Sequence, residues 1–241
     1  MINILIPLAN VDLNYSNTNY AKPFFEIDNE TMLYKCVKNI STINDARFIF
    51  IIDSSDDAKI YLSNAISIML PSAKIIKLNG RTSGMACSCL MAIDEIDEDE
   101  EVIIVNYDQI INANLNEIIK EFRNFDAGII TFLNIHPRYS YAKIEDELVV
   151  CTSEKIPLSK NAIAGFYYFK YFRDFCKASF EMIKKDASHN NQFFVSLALN
   201  ELVLMNKKIK NHTLKKNEYF TFYSIEKIEE FKRQKKCKSM S

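Results

Sequence analysis

The stretch INILIPL at residues 2–8 is a nearly continuous apolar run, which predicts a strand buried on both faces of a sheet. Further apolar runs follow it along the chain, with helical spacing of apolar residues between them. The predicted strands after the first are 47–52 (RFIFII), 74–78, 102–105 (VIIV) and 128–135. The predicted helices are 31–40, 56–69, 84–96 and 115–122. This alternation is typical of a parallel sheet with right-handed helical crossovers.

The remainder of the chain follows a less regular pattern. Two short runs predict a hairpin around Asp146, and a long apolar, aromatic run predicts another strand. The predicted strands here are 141–144, 148–151, 162–169, 209–214 and 218–223, and the predicted helices are 172–184, 192–205 and 225–234. No low-complexity linker divides the sequence. We therefore expect one α/β domain over residues 1–241, a Rossmann-like, mixed and mainly parallel sheet flanked by helices.

Composition excludes several classes of protein. Lys and Arg number 30 against 31 Asp and Glu, and this balance argues against a nucleic-acid partner, which normally requires a basic surplus. No apolar stretch approaches the roughly 18 residues of a membrane span, so we expect no membrane insertion. The six cysteines are scattered without CxxC spacing, and residues 1–9 lack the basic start of a signal peptide. These features predict a cytoplasmic location with reduced thiols.

Polar loops follow the predicted strands at the sheet edge where α/β proteins bind ligands. From position alone, Asp108 could meet a divalent cation on a nucleotide or could cap the next turn. Gly80 and Gly84, two of only four glycines, could place backbone amides against an anion or base, or could form a simple capped turn. Lys22 before Pro23 could reach a phosphate or lie in solvent. Each of these signals by itself leaves both alternatives open.

The order and spacing of these loops are more specific. The segments concerned are AKPFFEID (21–28), NGRTSGMACSCLMAID (79–94), VIIVNYDQ (102–109), SYAKIEDE (140–147), SEKIPLSKNAIAGFYYFK (153–170) and NNQFFVSLALNELV (190–203). Through them the chain resembles the sugar nucleotidyltransferases, or NDP-sugar pyrophosphorylases, of the GT-A-like Rossmann-type fold. It looks most similar to the small, capsule-cluster members of that superfamily. The resemblance implies a nucleotide-binding half at 1–135, a sugar or acceptor half at 136–231 and a tail at 232–241.

The resemblance also implies roles for individual residues. Lys22 and Asp108 would be catalytic, with Lys22 on phosphates and Asp108 on Mg²⁺, while Gly84 would lie against the nucleobase. The further nucleotide-binding residues would be Leu8, Ala9, Asn10, Asn79, Thr82 and Asn106. Glu154 and Lys155 would hold the sugar and its phosphate, with Gly165 facing the sugar. The partners implied are an NTP or NDP-sugar and a sugar phosphate, and a homo-oligomer is left open.

The sequence departs from the family pattern at two places. The family's first loop, G-x-G-[ST]-R, aligns with Asn10-Val11-Asp12-Leu13-Asn14, so both glycines and the arginine are replaced. Thr221 aligns with a second metal-binding carboxylate. Two alternatives to an active nucleotidyltransferase therefore stand beside it. One is a GT-A-like glycosyltransferase that uses an NDP-sugar, and the other is a catalytically degenerate partner that binds nucleotide-sugars.

Overall fold

The structure, a computed structural model, describes the backbone of residues 1–239 and the side chains of residues 1–235. The strands are β1 (Ile2–Leu8), β2 (Glu26–Ile27), β3 (Glu30–Thr31), β4 (Ala46–Asp53), β5 (Lys74–Leu78), β6 (Glu101–Val105), β7 (Gln109–Ile111), β8 (Ala127–Leu133), β9 (Ser140–Glu145), β10 (Leu148–Glu154), β11 (Asn161–Phe169), β12 (Ile209–Thr213) and β13 (Tyr219–Thr221). The α-helices are α1 (Met32–Ile40), α2 (Ser54–Ile60), α3 (Leu62–Met69), α4 (Met85–Leu90), α5 (Leu115–Phe122), α6 (Phe172–Lys184), α7 (Val195–Leu204) and α8 (Ile225–Ser239).

One nine-stranded sheet runs through both halves of the sequence, in the order β5-β4-β1-β6-β11-β8-β12-β10-β9. The strands β5, β4, β1 and β6 are parallel, and Ile4 in β1 pairs with Phe48 and Ile103 on its two sides. The Rossmann-like, mixed α/β fold expected from the sequence is confirmed. Two small two-stranded sheets, β2–β3 and β7–β13, lie outside the main sheet.

The sheet is not purely parallel, and its strands do not lie side by side in their sequence order. Strand β11 lies antiparallel between β6 and β8, so that Tyr168 pairs with both Ile103 and Gly128. The sequence alternation indicates which segments are strands but carries no information on which strands are neighbours. The hydrophobic residues of β11 are all buried, as a central strand requires, and this burial is what inserts a late segment into the middle of the sheet.

Apolar side chains fill both faces of the sheet. Leu5 and Ile104 belong to a cluster with residues of α4, α6 and α7, whereas Ile4 and Ile103 belong to a second cluster with α1, α3 and α5. A third, smaller cluster joins the first loop to α1 and α8, and it contains Tyr15, Ile27, Met32, Cys36, Phe222 and Ile228. This third cluster fixes the loop after β1 against the C-terminal segment.

Several helices differ in extent from their sequence patterns. The helix expected over 56–69 is two helices broken at Tyr61, which has a left-handed φ of 53°. The buried carboxylate of Asp57 accepts hydrogen bonds from the backbone and hydroxyl of Ser63, which satisfies the start of α3. The helix expected over 84–96 ends at Leu90 and continues as turns, and that expected over 192–205 begins at Val195.

The last helix is longer than its apolar pattern. Helix α8 continues to Ser239, so residues 232–239 of the expected tail are helical, while residues 240–241 lie outside the described part of the chain. Among the helices within residues 1–239, none combines the length and apolarity that crossing a bilayer requires.

Candidate active site

Lys22 and Asp108 meet at the carboxyl end of the parallel strands. Lys22 opens a short 3-10 turn in which Pro23 fixes the backbone, and Asp108 lies in the connection between β6 and β7. The Nζ of Lys22 lies 2.5 Å from Oδ2 of Asp108, although 86 residues separate them in the sequence. Their side chains are 15% and 20% exposed, so the pair is screened from solvent yet open to a ligand.

Two tyrosines flank the Lys22 ammonium. Its Nζ lies 5.7 Å from the ring centroids of both Tyr15 and Tyr107, within range of a cation–π contact. Burial, with the negative charge of Asp108 adding to it, raises the pKa of each of these phenols. Both tyrosines therefore stay neutral at physiological pH and hold the cation without competing for it as anions.

Hydrogen bonds fix Asp108 from the C-terminal segment. The Tyr15 hydroxyl donates to the carbonyl of Phe222 over 2.9 Å, and the backbone N–H of Phe222 donates to the Asp108 carbonyl over 2.8 Å. Phe222 is fully buried in the third cluster. The position of Asp108 thus depends on residues from both ends of the chain, which no local sequence pattern reveals.

A cavity of about 280 Å³ is lined by Tyr107, the residue before Asp108, although neither Lys22 nor Asp108 belongs to its lining. Its lining includes five of the predicted nucleotide-binding residues, namely Leu8, Ala9, Asn10, Thr82 and Gly84. The other lining residues are Pro7, Arg81, Met85, Ser88, Tyr107, Gln192 and Phe194. Tyr107 connects the cavity to Lys22, since the same ring contacts the ammonium. Arg81, Tyr107 and Phe194 are among the lining residues that the sequence patterns do not single out, although all three lie inside the quoted segments.

The first loop keeps a backbone conformation that favours glycine. Asn10, aligned with the family's first glycine, has a φ of 128°, where L side chains are strained. Its backbone N–H donates to the Leu8 carbonyl over 3.2 Å. The exposed Asp12 carboxylate accepts from the backbone N–H of Asn14 over 3.0 Å. The turn at Asn10 therefore keeps a positive φ even though an asparagine stands where the family has glycine.

Gly84 closes the opposite wall of the cavity. It has a φ of 118°, and a Cβ there would come within 2.6 Å of the backbone nitrogen of Phe193. Two hydrogen bonds join the segments, from Phe193 N–H to the Ser83 carbonyl and from Ala86 N–H to the Phe193 carbonyl. Glycine is required here because the backbone before α7 approaches too closely for any side chain.

Seven of the twelve predicted site residues lie outside the cavity lining, namely Lys22, Asn79, Asn106, Asp108, Glu154, Lys155 and Gly165. Asn79 is exposed, with its side-chain oxygen 3.4 Å from the Ser54 hydroxyl. Asn106 packs on Gly165, whose φ is 57°, and a Cβ at Gly165 would collide with the Asn106 amide. The Gly165 carbonyl accepts from Asn106 N–H at 3.0 Å and from Gln109 Nε2 at 3.1 Å. Gly165 thus permits the close contact between β11 and the loop that carries Asp108.

Glu154 is a buried carboxylate at the end of β10. Hydroxyl groups of Ser140 and Ser196 both donate to its Oε2, the second over 2.8 Å. Within residues 1–235, Oε1 has no hydrogen-bond partner and no cation lies within ion-pair distance of the carboxylate. One oxygen is therefore held in place, and the other can accept a hydrogen bond from a ligand.

Lys155 is exposed and contacts one residue of the cavity lining. Its backbone is left-handed, with a φ of 56°, and its N–H donates to the Tyr139 carbonyl over 3.1 Å. Its Nζ lies 5.2 Å from the ring centroid of Phe194, which lines the cavity. Lys22 and Lys155 thus each contact a lining residue, Tyr107 and Phe194 respectively, while neither they nor Asp108 line the cavity themselves.

The donor set decides what kind of metal this site could hold. Within the described residues, no group of three or more His, Cys, Asp or Glu side chains converges on one point. Thr221, on β13, offers a hydroxyl where the family has a second carboxylate. Because magnesium is often held by one carboxylate together with substrate phosphates, Asp108 fits a cation that arrives with a nucleotide and not a resident one.

A second cavity, of about 460 Å³, lies between β13, α8 and the end of β8. Aromatic rings and lysines line it, among them Phe132, Tyr219, Lys215 and Lys227. None of the predicted site residues belongs to its lining, so the candidate active site is the smaller cavity together with the Lys22–Asp108 pair.

Comparison with known proteins identifies the family to which the chain belongs. The sequence model of the family described as nucleotidyl transferase matches residues 17–212, which is most of the chain. The chain belongs to the nucleotidyl transferase family. The match spans Lys22, Gly84, Asp108, Glu154 and Lys155 but not Leu8, Ala9 or Asn10, and it assigns no role to any of these residues. No curated protein sequence matches this nucleotidyl transferase.

Solved structures share the fold of this nucleotidyl transferase at low sequence identity. The nucleoside-diphosphate-sugar pyrophosphorylase of Vibrio cholerae RC9 superposes with a TM-score of 0.83 at 20% identity, covering 95% of this chain and 99% of that one. The inositol-1-phosphate CTP transferase of T. maritima gives 0.72 at 11% identity, covering 93% and 90%. HddC of Yersinia pseudotuberculosis gives 0.70 at 17% identity, covering 96% and 100%. These likenesses confirm the GT-A-like, Rossmann-type architecture.

Proposed function

We propose that this nucleotidyl transferase transfers a nucleotidyl group from an NTP to a sugar phosphate and releases pyrophosphate. The observation that carries the proposal is the Lys22–Asp108 pair together with the cavity of Asn10 and Gly84. A cytoplasmic role in surface-polysaccharide, or capsule, biosynthesis is part of the proposal and follows from the resemblance of the sequence alone. Residues 1–135 would supply the nucleotide side of the cleft, and residues 136–231 the acceptor side.

The reaction requires positioning and charge neutralisation more than a covalent nucleophile. An oxygen of the sugar phosphate attacks the α-phosphorus, and the bond from that phosphorus to the bridging oxygen breaks as pyrophosphate leaves. Lys22 would bind phosphate oxygens, and Asp108 would hold the Mg²⁺ that accompanies the nucleotide. When bound, that ion would neutralise developing charge on the phosphates. Lys22 must release Asp108 to make these contacts.

The buried carboxylate of Glu154 suits the acceptor. A sugar hydroxyl could donate to its free Oε1, because Ser140 and Ser196 hold Oε2. Lys155, adjacent in sequence and exposed, could then contact the phosphate of the same molecule. A buried acceptor oxygen and a neighbouring cation form a pattern that fits a sugar phosphate.

A second candidate function is use of a preformed NDP-sugar. The first loop offers no arginine, and Thr221 replaces a carboxylate, so fewer groups are available to hold a triphosphate and its cation. A GT-A-like glycosyltransferase, or a catalytically degenerate partner that binds nucleotide-sugars, would need fewer of them. Either would retain the cavity around Gly84.

The test is pyrophosphate release by the full chain with each of the four common NTPs, Mg²⁺ and a panel of sugar 1-phosphates. Turnover with one pair, abolished in Asp108→Asn, supports the proposal. A thermal-shift titration accompanies it, since a ligand stabilises the folded state in proportion to its affinity. Greater stabilisation by an NDP-sugar than by an NTP with Mg²⁺, together with no turnover, would favour the second candidate.

A further inference from the structure

Arg138 forms a stacked pair with Tyr223. The guanidinium carbon lies 3.4 Å from the ring centroid, so the two planar groups are in contact. Arg138 comes from the connection between β8 and β9, and Tyr223 follows β13. The contact therefore links the connection before β9 to the segment after β13.

The loop that carries Arg138 is held by its own hydrogen bonds. The Asn134 side-chain oxygen accepts from His136 N–H over 2.8 Å, and His136 Nδ1 accepts from Arg138 N–H over 3.3 Å. The Tyr141 hydroxyl donates to the His136 carbonyl over 2.6 Å. Loop and stacking together restrict the guanidinium, although the residue is exposed.

The guanidinium of Arg138 makes no side-chain hydrogen bond and no ion pair with any carboxylate among residues 1–235. A second arginine of the chain provides the contrast. Arg173 also stacks on a tyrosine, Tyr171, at 4.2 Å, but its guanidinium is ion-paired with Asp99. Both arginines are ordered by stacking, and only Arg138 leaves its donors available to an outside anion.

The neighbours of the stacked pair make backbone hydrogen bonds to the loops of Asp108 and Lys155. Tyr223 follows Phe222, whose N–H bonds the Asp108 carbonyl. Arg138 precedes Tyr139, whose carbonyl accepts from Lys155 N–H. The Tyr139 and Tyr223 rings also lie edge to face, 6.4 Å apart. The pair is therefore one residue removed from a backbone contact to each loop, through Tyr223 on the Asp108 side and through Arg138 on the Lys155 side.

We propose that Arg138 binds a phosphate group of the substrate and supplies the guanidinium that the first loop lacks. Residues 10–14 contain no arginine, and a planar guanidinium with free donors binds phosphate oxygens in a bidentate manner that lysine cannot reproduce. Tyr223 acts as a positioning residue that keeps the plane of the guanidinium fixed. The inference rests on the proposed function for the identity of the substrate, but the phosphate chemistry can be tested independently.

The phosphate could belong to the nucleotide or to the sugar phosphate, because the neighbours of the Arg138–Tyr223 pair bond the backbone of both Asp108 and Lys155. Calorimetric titration of the full chain with inorganic tripolyphosphate, GTP or UTP with Mg²⁺, and glucose 1-phosphate separates the sources. Arg138→Gln should weaken at least one of these by about tenfold to a hundredfold, as expected for loss of charge-assisted hydrogen bonds. Loss for tripolyphosphate and NTP indicates the nucleotide, and loss for glucose 1-phosphate indicates the acceptor.

Three further variants make the test specific. Arg173→Gln, the matched control, should bind all probes within about twofold of the wild type. Arg138→Lys should recover only part of the affinity, and Tyr223→Leu should weaken the same probe as Arg138→Gln, but less. Melting temperatures of the two Arg138 variants should equal that of the wild type, because the side chain is exposed and unpaired.

The outcomes separate this inference from the proposed function. If Arg138→Gln binds every probe as the wild type does, or if the wild type binds none of them, the inference is wrong. If the wild type shows no pyrophosphate release yet loses tripolyphosphate affinity in Arg138→Gln, the phosphate site stands and the proposed function fails. If the wild type releases pyrophosphate and Arg138→Gln does so at the same rate, the proposed function stands and the phosphate site at Arg138 is wrong.

Discussion

The two carboxylates of the predicted site are held in opposite ways. Asp108 is partly exposed and paired with the Lys22 ammonium between two aromatic rings. Glu154 is 5% exposed and, among residues 1–235, is bonded only by the hydroxyls of Ser140 and Ser196. One negative charge is neutralised by a cation that a phosphate could take away, whereas the other is solvated by neutral donors that stay in place.

This difference suggests different roles for the two carboxylates, one in turnover and one in binding. An ion pair that breaks on binding suits a group whose partner changes during a reaction, as Asp108 would require when a nucleotide and its cation arrive. A carboxylate fixed by two hydroxyls suits recognition of one hydrogen-bond donor in a constant position. We therefore expect Asp108 to affect turnover and Glu154 to affect binding of the acceptor.

The largest effect is expected for Asp108→Asn. The substitution keeps the shape of the side chain but removes the charge, so kcat should fall on the order of 10²- to 10³-fold, or about 3–4 kcal/mol in the barrier. Pyrophosphate release under saturating substrates measures it. Unfolding in urea should show little change, because the carboxylate is partly exposed. A normal kcat in this variant would show that Asp108 is not needed for turnover, and the different roles assigned to Asp108 and Glu154 would then be wrong.

Gly84→Ala tests the close backbone contact between Gly84 and Phe193 at the cavity. A methyl group there meets the Phe193 backbone and is strained by the positive φ, so the free energy of unfolding should fall by roughly 2–3 kcal/mol. Gly80→Ala is the matched control, because Gly80 has a similar φ of 125° but no atom within 4 Å of the added carbon. Urea denaturation measures both. Equal losses would show that backbone strain alone, and not packing, requires Gly84.

Glu154→Gln sharpens the contrast from the acceptor side. The amide oxygen can still accept from both serines, but the charge is lost, and the KM for the sugar phosphate should rise about tenfold, or roughly 1.4 kcal/mol, with little change in kcat. Glu201→Gln serves as control, since Glu201 is equally buried but pairs with Lys185 outside the cleft. A change in kcat without a change in KM would exchange the roles assigned to the two carboxylates.

The smallest effect is expected for Asn10→Gly. Glycine relieves the strain at a φ of 128°, although it also increases the entropy of the unfolded chain, so a net gain of about 0.5–1 kcal/mol in unfolding free energy is expected. The affinity for an NTP should rise with it, because the backbone can approach phosphates more closely. Asn206→Gly, at a φ of 59° that asparagine tolerates, should give no gain. A loss of stability at residue 10 would show that the asparagine side chain itself is needed.

Much of the fold follows from local patterns. The apolar runs predict every strand of the nine-stranded sheet, and helix α6 has the predicted bounds, because burial of one face requires a regular spacing of apolar residues. The short strands β2, β3 and β7 and the break at Tyr61 were not predictable in this way. The break is stabilised by the carboxylate of Asp57, which caps α3 and lies outside the helical period.

The candidate site likewise contains some residues that the sequence indicates and others that only the structure reveals. The resemblance to the family selects Lys22, Gly84 and Asp108, whose residue type and position in loops after strands each leave a structural alternative open. Tyr107 and Arg138 carry no such signal. A tyrosine or an arginine in a polar loop is common, and its meaning here comes from the group against which it stacks.

The sequence by itself determined an α/β domain of the nucleotidyl transferase family, because hydrophobic periodicity and short motifs act over neighbouring residues. Only the tertiary structure decided that Lys22 reaches Asp108, that the Glu154 carboxylate accepts from two serines, and that Arg138 stacks on Tyr223 with no ion pair among residues 1–235. Each of these contacts joins segments whose approach is set by strand order and core packing. The physical reason is that electrostatics and hydrogen bonding act through distances in space, which a linear pattern does not contain.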